Sequence, residues 1–296
     1  MPAPSVDIIA IDLDGTLLGP DGQVSPANKG AINRARAAGI LVLPCTGRGF
    51  VECNTILADI DAAGPAVVAG GAMIVDGRTG KTLHRFGVCP AITSTATGFI
   101  HDAGHAALVL KDAAATGHDY LVVTSEDNHP VDPVSIWWFE THNLTTRFVR
   151  SLDEDEHPGA TVRVGLVADA CDSVPLMARM AEALGDEVCL HSFPALVNAN
   201  AEQRNGREVH VLEVFDRRAH KWSAIEWVAS QQPLLGTRVA AIGDHINDVS
   251  MLQGAHLGIA MGNADQTARD AADIVTRSNA DDGVAFAIDQ LLAGIW

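Results

Sequence analysis

The chain has 296 residues, of which 47% are hydrophobic, enough for one large core or two ordinary domains. Thirty-seven acidic residues against 20 basic ones give a formal charge of −17, which excludes a general nucleic-acid surface because phosphate backbones demand clustered Lys and Arg. No apolar run approaches the roughly eighteen residues of a membrane span, no signal segment opens the chain, and five scattered cysteines lack Cys-x-x-Cys spacing, so a cytoplasmic protein with free thiols is expected.

The apolar run Ile8–Ile11 reads as a buried strand that ends on two carboxylates, Asp12 and Asp14, followed by Gly15 and Thr16. Ser25 and Pro26 suit the cap and first turn of a helix with Ala27, Ala31, Ala35 and Ala38 on its apolar face. A second strand, Ile40–Pro44, delivers Thr46, Gly47 and Arg48 at its carboxyl end, and Pro65–Gly70 reads as a third. This βαβ rhythm favours a parallel sheet.

From Phe86 to Gly206 the pattern changes to strand-like stretches, "YLVVTS", "SIWWFETH" and "TVRVGLVA", mixed with helical ones, as expected of an inserted α+β domain. In the second stretch, strand alternation would put Trp137 and Phe139 on one face and Trp138 and Glu140 on the other. The acidic run Asp153–Glu156 reads as a solvated loop, and His101 and His105, four apart on a predicted helix, read as surface or capping residues without a third ligand. The βαβ rhythm returns in Arg238–Asp244, Leu257–Gly262 and Asp273–Thr276, and a last helix carries Val284, Ile288, Leu291 and Leu292 on one face. Both ends of the chain therefore build one sheet.

Ligands bind at the carboxyl ends of parallel strands, where Asp12, Asp14 and Asp244 all fall, with Asp248 one turn further along. Like charges aimed at one point call for a cation, and a carboxylate, carbonyl and water set suits octahedral Mg²⁺. Thr46, Gly47 and Lys221, at the start of a predicted helix, offer a hydroxyl, a backbone N–H and an ammonium to a phosphoryl group.

"DLDGT" (Asp12–Thr16), "TGR" (Thr46–Arg48), Lys221 and "GDHINDVSML" (Gly243–Leu252) together match, in order and spacing, the four motifs of the haloacid dehalogenase-like (HAD) phosphohydrolases, which the chain resembles. The segments "GIAMGNA" and "SNADDGVAFAI" resemble its Cof-type, subfamily IIB branch. The resemblance implies an α/β protein: a Rossmann-like parallel-sheet core, residues 1–85 and 207–296, with an inserted α+β cap, residues 86–206, as substrate lid. It also implies a Mg²⁺-dependent phosphatase of small phosphorylated metabolites, with sugar phosphates as the expected class. Asp12 would be the nucleophile and Asp14 the general acid and base. Asp12, the Asp14 carbonyl and Asp244 would hold Mg²⁺, Asp248 would orient its shell, and Thr46, Gly47, Lys221 and Asn247 would bind phosphoryl oxygens. Gly70 stands where many relatives carry Asn. A phosphomutase of the phosphomannomutase type and a silent phosphate or metal sensor are the competing readings; the oligomeric state is not legible.

Overall fold

The computed structural model describes residues 6–195, 207–231 and 238–296. Its strands begin with β1 (Ile8–Asp12), β2 (Leu41–Cys45), β3 (Pro65–Val68), β4 (Met73–Asp76) and β5 (Thr82–Arg85). Six follow: β6 (Ala107–Lys111), β7 (Tyr120–Val123), β8 (Thr146–Val149), β9 (Thr161–Asp169), β10 (Val188–Pro194) and β11 (Val209–Asp216). The chain then returns with β12 (Val239–Gly243), β13 (Leu257–Ala260) and β14 (Ile274–Val275). These strands form two sheets, ordered β14-β13-β12-β1-β2-β3-β4-β5 and β10-β11-β9-β6-β7-β8. The chain divides into two compact units, Met1–His84 with His220–Trp296, and Arg85–Ala219. Because β11 is hydrogen-bonded to β9 and β10, residues 207–219 lie with the inserted unit rather than with the core.

In the first unit β1 pairs in parallel with both β2 and β12, with Asp12 opposite Cys45 and Ile11 opposite Ile242. All five residues of β1 are buried, as expected of a central parallel strand, where neither face meets water. The strand order runs outward in opposite directions on the two sides of β1, so the crevice at its carboxyl end is a topological switch point, where such sheets bind ligands. The helix Pro26–Ala37 starts where expected: Ser25 Oγ accepts from the backbone N–H of Asn28 at 3.1 Å and Pro26 occupies the first turn. Its buried face is Asn28, Ala31, Ile32 and Ala35; Ala27 is exposed and Ala38 only half-buried, because the 3.6-residue period rotates a strict every-fourth row off the core. The last helix, Gly283–Leu292, buries Val284, Ile288 and Leu291, with Leu292 at the margin.

In the second unit all neighbouring strands are antiparallel except the parallel pair β7 and β8. The helices Pro90–Asp102 and Ala170–Leu184 pack Ile100, Leu176 and Met180 onto Val109, Leu121, Val164, Leu166, Leu212 and Val214. The stretch expected as a strand around Trp137 and Trp138 is instead the helix Pro133–Thr141. Asp132 Oδ1 accepts from the Val134 N–H at 2.8 Å, and Pro133 fits the first helical position. The segment is apolar nearly all round, so periodicity alone could not separate the two states. Trp137 packs with Val134, Val209, Val167 and Val211, and Phe139 lies 5.0 Å from the Tyr120 ring, so neither pair shares a strand face.

Two further expectations change. His101 ends the helix Pro90–Asp102, but His105 lies beyond Gly104, whose φ of +83° breaks the helix, so the pair does not share a helical face. The acidic run is only partly solvated: Asp155 is buried and accepts from Lys111 Nζ at 2.7 Å, while the same ammonium donates to His157 O at 2.8 Å and Thr161 Oγ1 at 3.1 Å. All three donors of a buried ammonium are thus satisfied, the condition for keeping a charge inside.

Candidate active site

Three strand ends build the site. Asp12 closes β1, Thr46 follows β2, and Asp244 follows β12, whose last residue, Gly243, leaves no room for a side chain: an added Cβ would lie 2.6 Å from the Asp248 side chain. Lys221 opens the helix Lys221–Ser230 and is wholly buried. Gly71, at φ +103°, lets the loop after β3 press on that helix start, since a Cβ there would meet Lys221 N at 2.6 Å.

Lys221 Nζ donates to Asp12 Oδ1 at 2.6 Å and to Asp248 Oδ1 at 2.5 Å. The second oxygen of Asp248 accepts from the backbone N–H groups of Asp244, at 2.9 Å, and His245, at 3.1 Å. One Asp248 oxygen therefore holds Lys221 and the other organises the loop. Thr16 Oγ1 donates to Asp244 Oδ1 at 3.0 Å, and Gly15, at φ +78°, gives way to the Asp244 carboxylate, which a Cβ would approach to 2.2 Å. Oxygens of Asp12, Asp244 and Asp248 lie within 4.8 Å of one another.

Burial, and then the charge of Asp248, push the Asp12 carboxyl well above the usual range, although Lys221 pulls it down. The same two causes push Asp244 up to about 6. Burial acts to lower Lys221, but Asp12 and Asp248 together raise it above its ordinary value, so the ammonium stays charged. Three carboxylates against one ammonium carry, when all are ionised, an excess of two negative charges. The excess and the all-oxygen donor set fit a hard divalent cation.

Asp14 is the exposed member of the pair, its side chain about half accessible, and Arg48 grips it with two bonds, Nε to Oδ2 at 2.8 Å and Nη2 to Oδ1 at 2.5 Å. The two adjacent aspartates are thus unequal: one faces a buried lysine, the other the rim. Thr46 is buried and its Oγ1 accepts from the Arg48 N–H at 3.1 Å, leaving its own hydrogen to donate. A Cβ on Gly47 would stand 3.8 Å from Asn247 Nδ2, so those two neighbour each other across the crevice. Thr16, which fixes Asp244, was legible only as part of "DLDGT", and Asn263, whose Nδ2 donates to Gly15 O at 2.8 Å, only as part of "GIAMGNA"; neither segment signalled the contact itself.

The model of the family described as haloacid dehalogenase-like hydrolase matches residues 9–288. The chain belongs to this family. A relative from Bacillus subtilis (strain 168), the 5-amino-6-(5-phospho-D-ribitylamino)uracil phosphatase YwtE, is 30% identical over 299 residues, covering 97% of this chain and 98% of its own. A haloacid dehalogenase-like hydrolase from Bacteroides thetaiotaomicron superposes with a TM-score of 0.75 at 21% identity, over 97% of this chain and all of that one. The structure described as the HAD subclass IIB sugar phosphatase BT4131 superposes with a TM-score of 0.73 at 19% identity, over 98% of this chain and 100% of its own. The fold is therefore the one shared by these haloacid dehalogenase-like structures, and the chain is a phosphatase of the HAD superfamily, a hydrolase of phosphoric monoesters acting on phosphorylated substrates. Among the described residues no helix is long and apolar enough to cross a membrane.

Proposed function

We propose that this HAD phosphatase hydrolyses small phosphorylated metabolites bearing a polyhydroxylated chain, sugar phosphates among them, through an aspartyl-phosphate on Asp12. The observation that carries the reading is the buried Asp12, fixed by Lys221 at 2.6 Å beside Asp244 and Asp248 at the switch point of the sheet. An Asp12 carboxylate oxygen attacks phosphorus, the ester P–O bond breaks, and the leaving oxygen takes a proton from Asp14. Water then attacks the phosphorus of the aspartyl-phosphate, Asp14 accepts the water's proton, and Asp12 is regenerated. Thr46 Oγ1, the Gly47 N–H, Lys221 and Asn247 hold the phosphoryl oxygens as negative charge grows on them. Asp12, the Asp14 carbonyl and Asp244 would hold Mg²⁺, and Asp248, which accepts from the Asp244 N–H, would orient that set. The bound ion supplies charge neutralisation for the transferring group. The inserted unit, residues 85–219, acts as the lid that selects the leaving group.

The substrate class is supported by YwtE, whose named substrate carries a phosphorylated ribityl chain, and by the sugar phosphatase whose fold this chain shares. A phosphate-release screen across sugar phosphates, phosphoribityl compounds, nucleotides and phosphorylated vitamins tests it. Sugar and ribityl phosphates should give the highest kcat/KM; a nucleotide at the top would overturn the assignment.

Asp14→Asn should slow alkyl phosphates at least about tenfold more than aryl phosphates, whose leaving groups need little protonation. Equal losses measured in single-turnover burst experiments, which isolate the first step, would remove Asp14 from the acid role.

The ion makes a separate prediction. Asp12 and Asp244 have raised values in the folded state, Asp244 about 6, so without metal the fold binds more protons than the unfolded chain and loses stability as pH rises through that value. Mg²⁺ competes with those protons. Its effect on Tm should therefore be larger at about pH 7.5 than at about pH 5. An equal or smaller shift at the higher pH would argue against a carboxylate-bound ion.

A further inference from the structure

The loop that carries Asp14 closes on itself through the Leu18 N–H, which donates to Leu13 O at 2.9 Å. Between Leu13 and Leu17 the backbone leaves helical geometry at Asp14 (φ −76°, ψ 120°) and Gly15 (φ 78°), and the carbonyls of Gly15, Leu17 and Leu18 take partners from elsewhere.

Three asparagines supply them. Asn263 Nδ2 donates to Gly15 O at 2.8 Å, Asn28 Nδ2 to Leu17 O at 3.2 Å, and Asn279 Nδ2 to Leu18 O at 2.8 Å. Two of these amides also reach the other way: Asn263 Oδ1 accepts from Asn279 N at 2.9 Å, and Asn28 Oδ1 accepts from Ala285 N at 2.9 Å. An amide that meets a carbonyl on one side and an N–H on the other can be oriented in one way only, and no charged side chain could satisfy both. The three together tie the loop to the segment 279–285. The Asp244 carboxylate lies close against Gly15, where a Cβ would meet it at 2.2 Å, and is bonded by Thr16 Oγ1 at 3.0 Å.

We infer that Asn263, with Asn279 and Asn28, is a positioning residue for catalysis: the asparagine brace fixes the Gly15–Thr16 peptide beside Asp244, and through Gly15 it sets the Asp14 carbonyl and side chain. This rests on the roles of Asp12 and Asp14 given above. A displaced loop moves the proton donor and one side of the cation site together, and a misplacement of about 1 Å can cost up to about 100-fold in rate.

Asn263→Ala should lower kcat about tenfold with KM within about twofold, weaken Mg²⁺ several-fold by calorimetry, speed hydrogen exchange at the amides of residues 14–18, and leave Tm nearly unchanged. Asn263→Asp discriminates further. It keeps the acceptor for Asn279 N–H but sets an oxygen against Gly15 O, so its kcat should be no higher than that of Asn263→Ala. If Asn263→Ala does not fold, Asn279→Ala, which loses only the bond to Leu18 O, carries the test with the same readouts. Wild-type kcat and Mg²⁺ affinity in these variants, or recovery of kcat in Asn263→Asp, would overturn the brace. Asp12→Asn separates the layers: if it remains active the underlying reading fails, whereas if it is inactive while the asparagine variants behave as wild type, the brace alone fails.

Discussion

Asp12→Asn should lower kcat on an aryl phosphate by at least about 10⁴-fold while the protein stays folded. The asparagine keeps an oxygen for Lys221, which donates to Asp12 Oδ1 at 2.6 Å, but has no carboxylate with which to attack. Stability should not fall. Burial and the neighbouring Asp248 charge already disfavour the ionised Asp12, so removing one of three crowded carboxylates relieves repulsion, and the metal-free Tm should match or exceed that of the parent. A variant that still turns over at a tenth of the parent rate would mean that another group attacks phosphorus.

Lys221→Met should be damaging in both respects. The lysine is fully buried and pairs with two buried carboxylates, and removing one member of such a group strands the others at a cost of about 3–5 kcal/mol. In kcat the loss should reach about 10³-fold, since an ammonium aimed at the site is among the groups that stabilise growing charge. The sign of the pH dependence is fixed. Without the ammonium that pulls it down, Asp12 is protonated more readily, so the destabilisation is greatest near neutral pH and shrinks as acid neutralises it. Urea melts at two pH values measure this; a small, pH-independent loss would show that Lys221 does not balance these charges.

Much of the architecture around the site was legible because its signals are local. A fully apolar strand ending on Asp12, a second delivering Thr46, and a third ending at Gly243–Asp244 identify a parallel sheet and the end of it where a ligand belongs. The sharing of one lysine between Asp12 and Asp248 joins residues more than 200 positions apart in one case and 27 in the other, and spacing cannot reveal it. The asparagine brace escaped for the same reason: Asn28 sits in a helix, Asn263 in a turn and Asn279 at the start of a 3-10 helix, and although the last two fall in the family-like segments "GIAMGNA" and "SNADDGVAFAI", nothing in those segments shows that they meet at Gly15 and Leu18. The Trp137–Trp138 segment failed differently. Its Asp132–Pro133 start was a helix signal that the aromatic, β-favouring composition outweighed. Asp155 likewise reads as one charge in an exposed run until the fold brings the buried Lys111 to it from 44 residues away.

The central claim, that the phosphoryl group passes through the protein before it reaches water, has a stereochemical signature. Hydrolysis of an isotopically chiral phosphorothioate ester in oxygen-labelled water reads it directly. In-line attack by Asp12 followed by in-line attack by water inverts phosphorus twice, so the product should show net retention of configuration; net inversion would mean that water attacks the substrate itself, and would contradict the assignment of Asp12 as nucleophile.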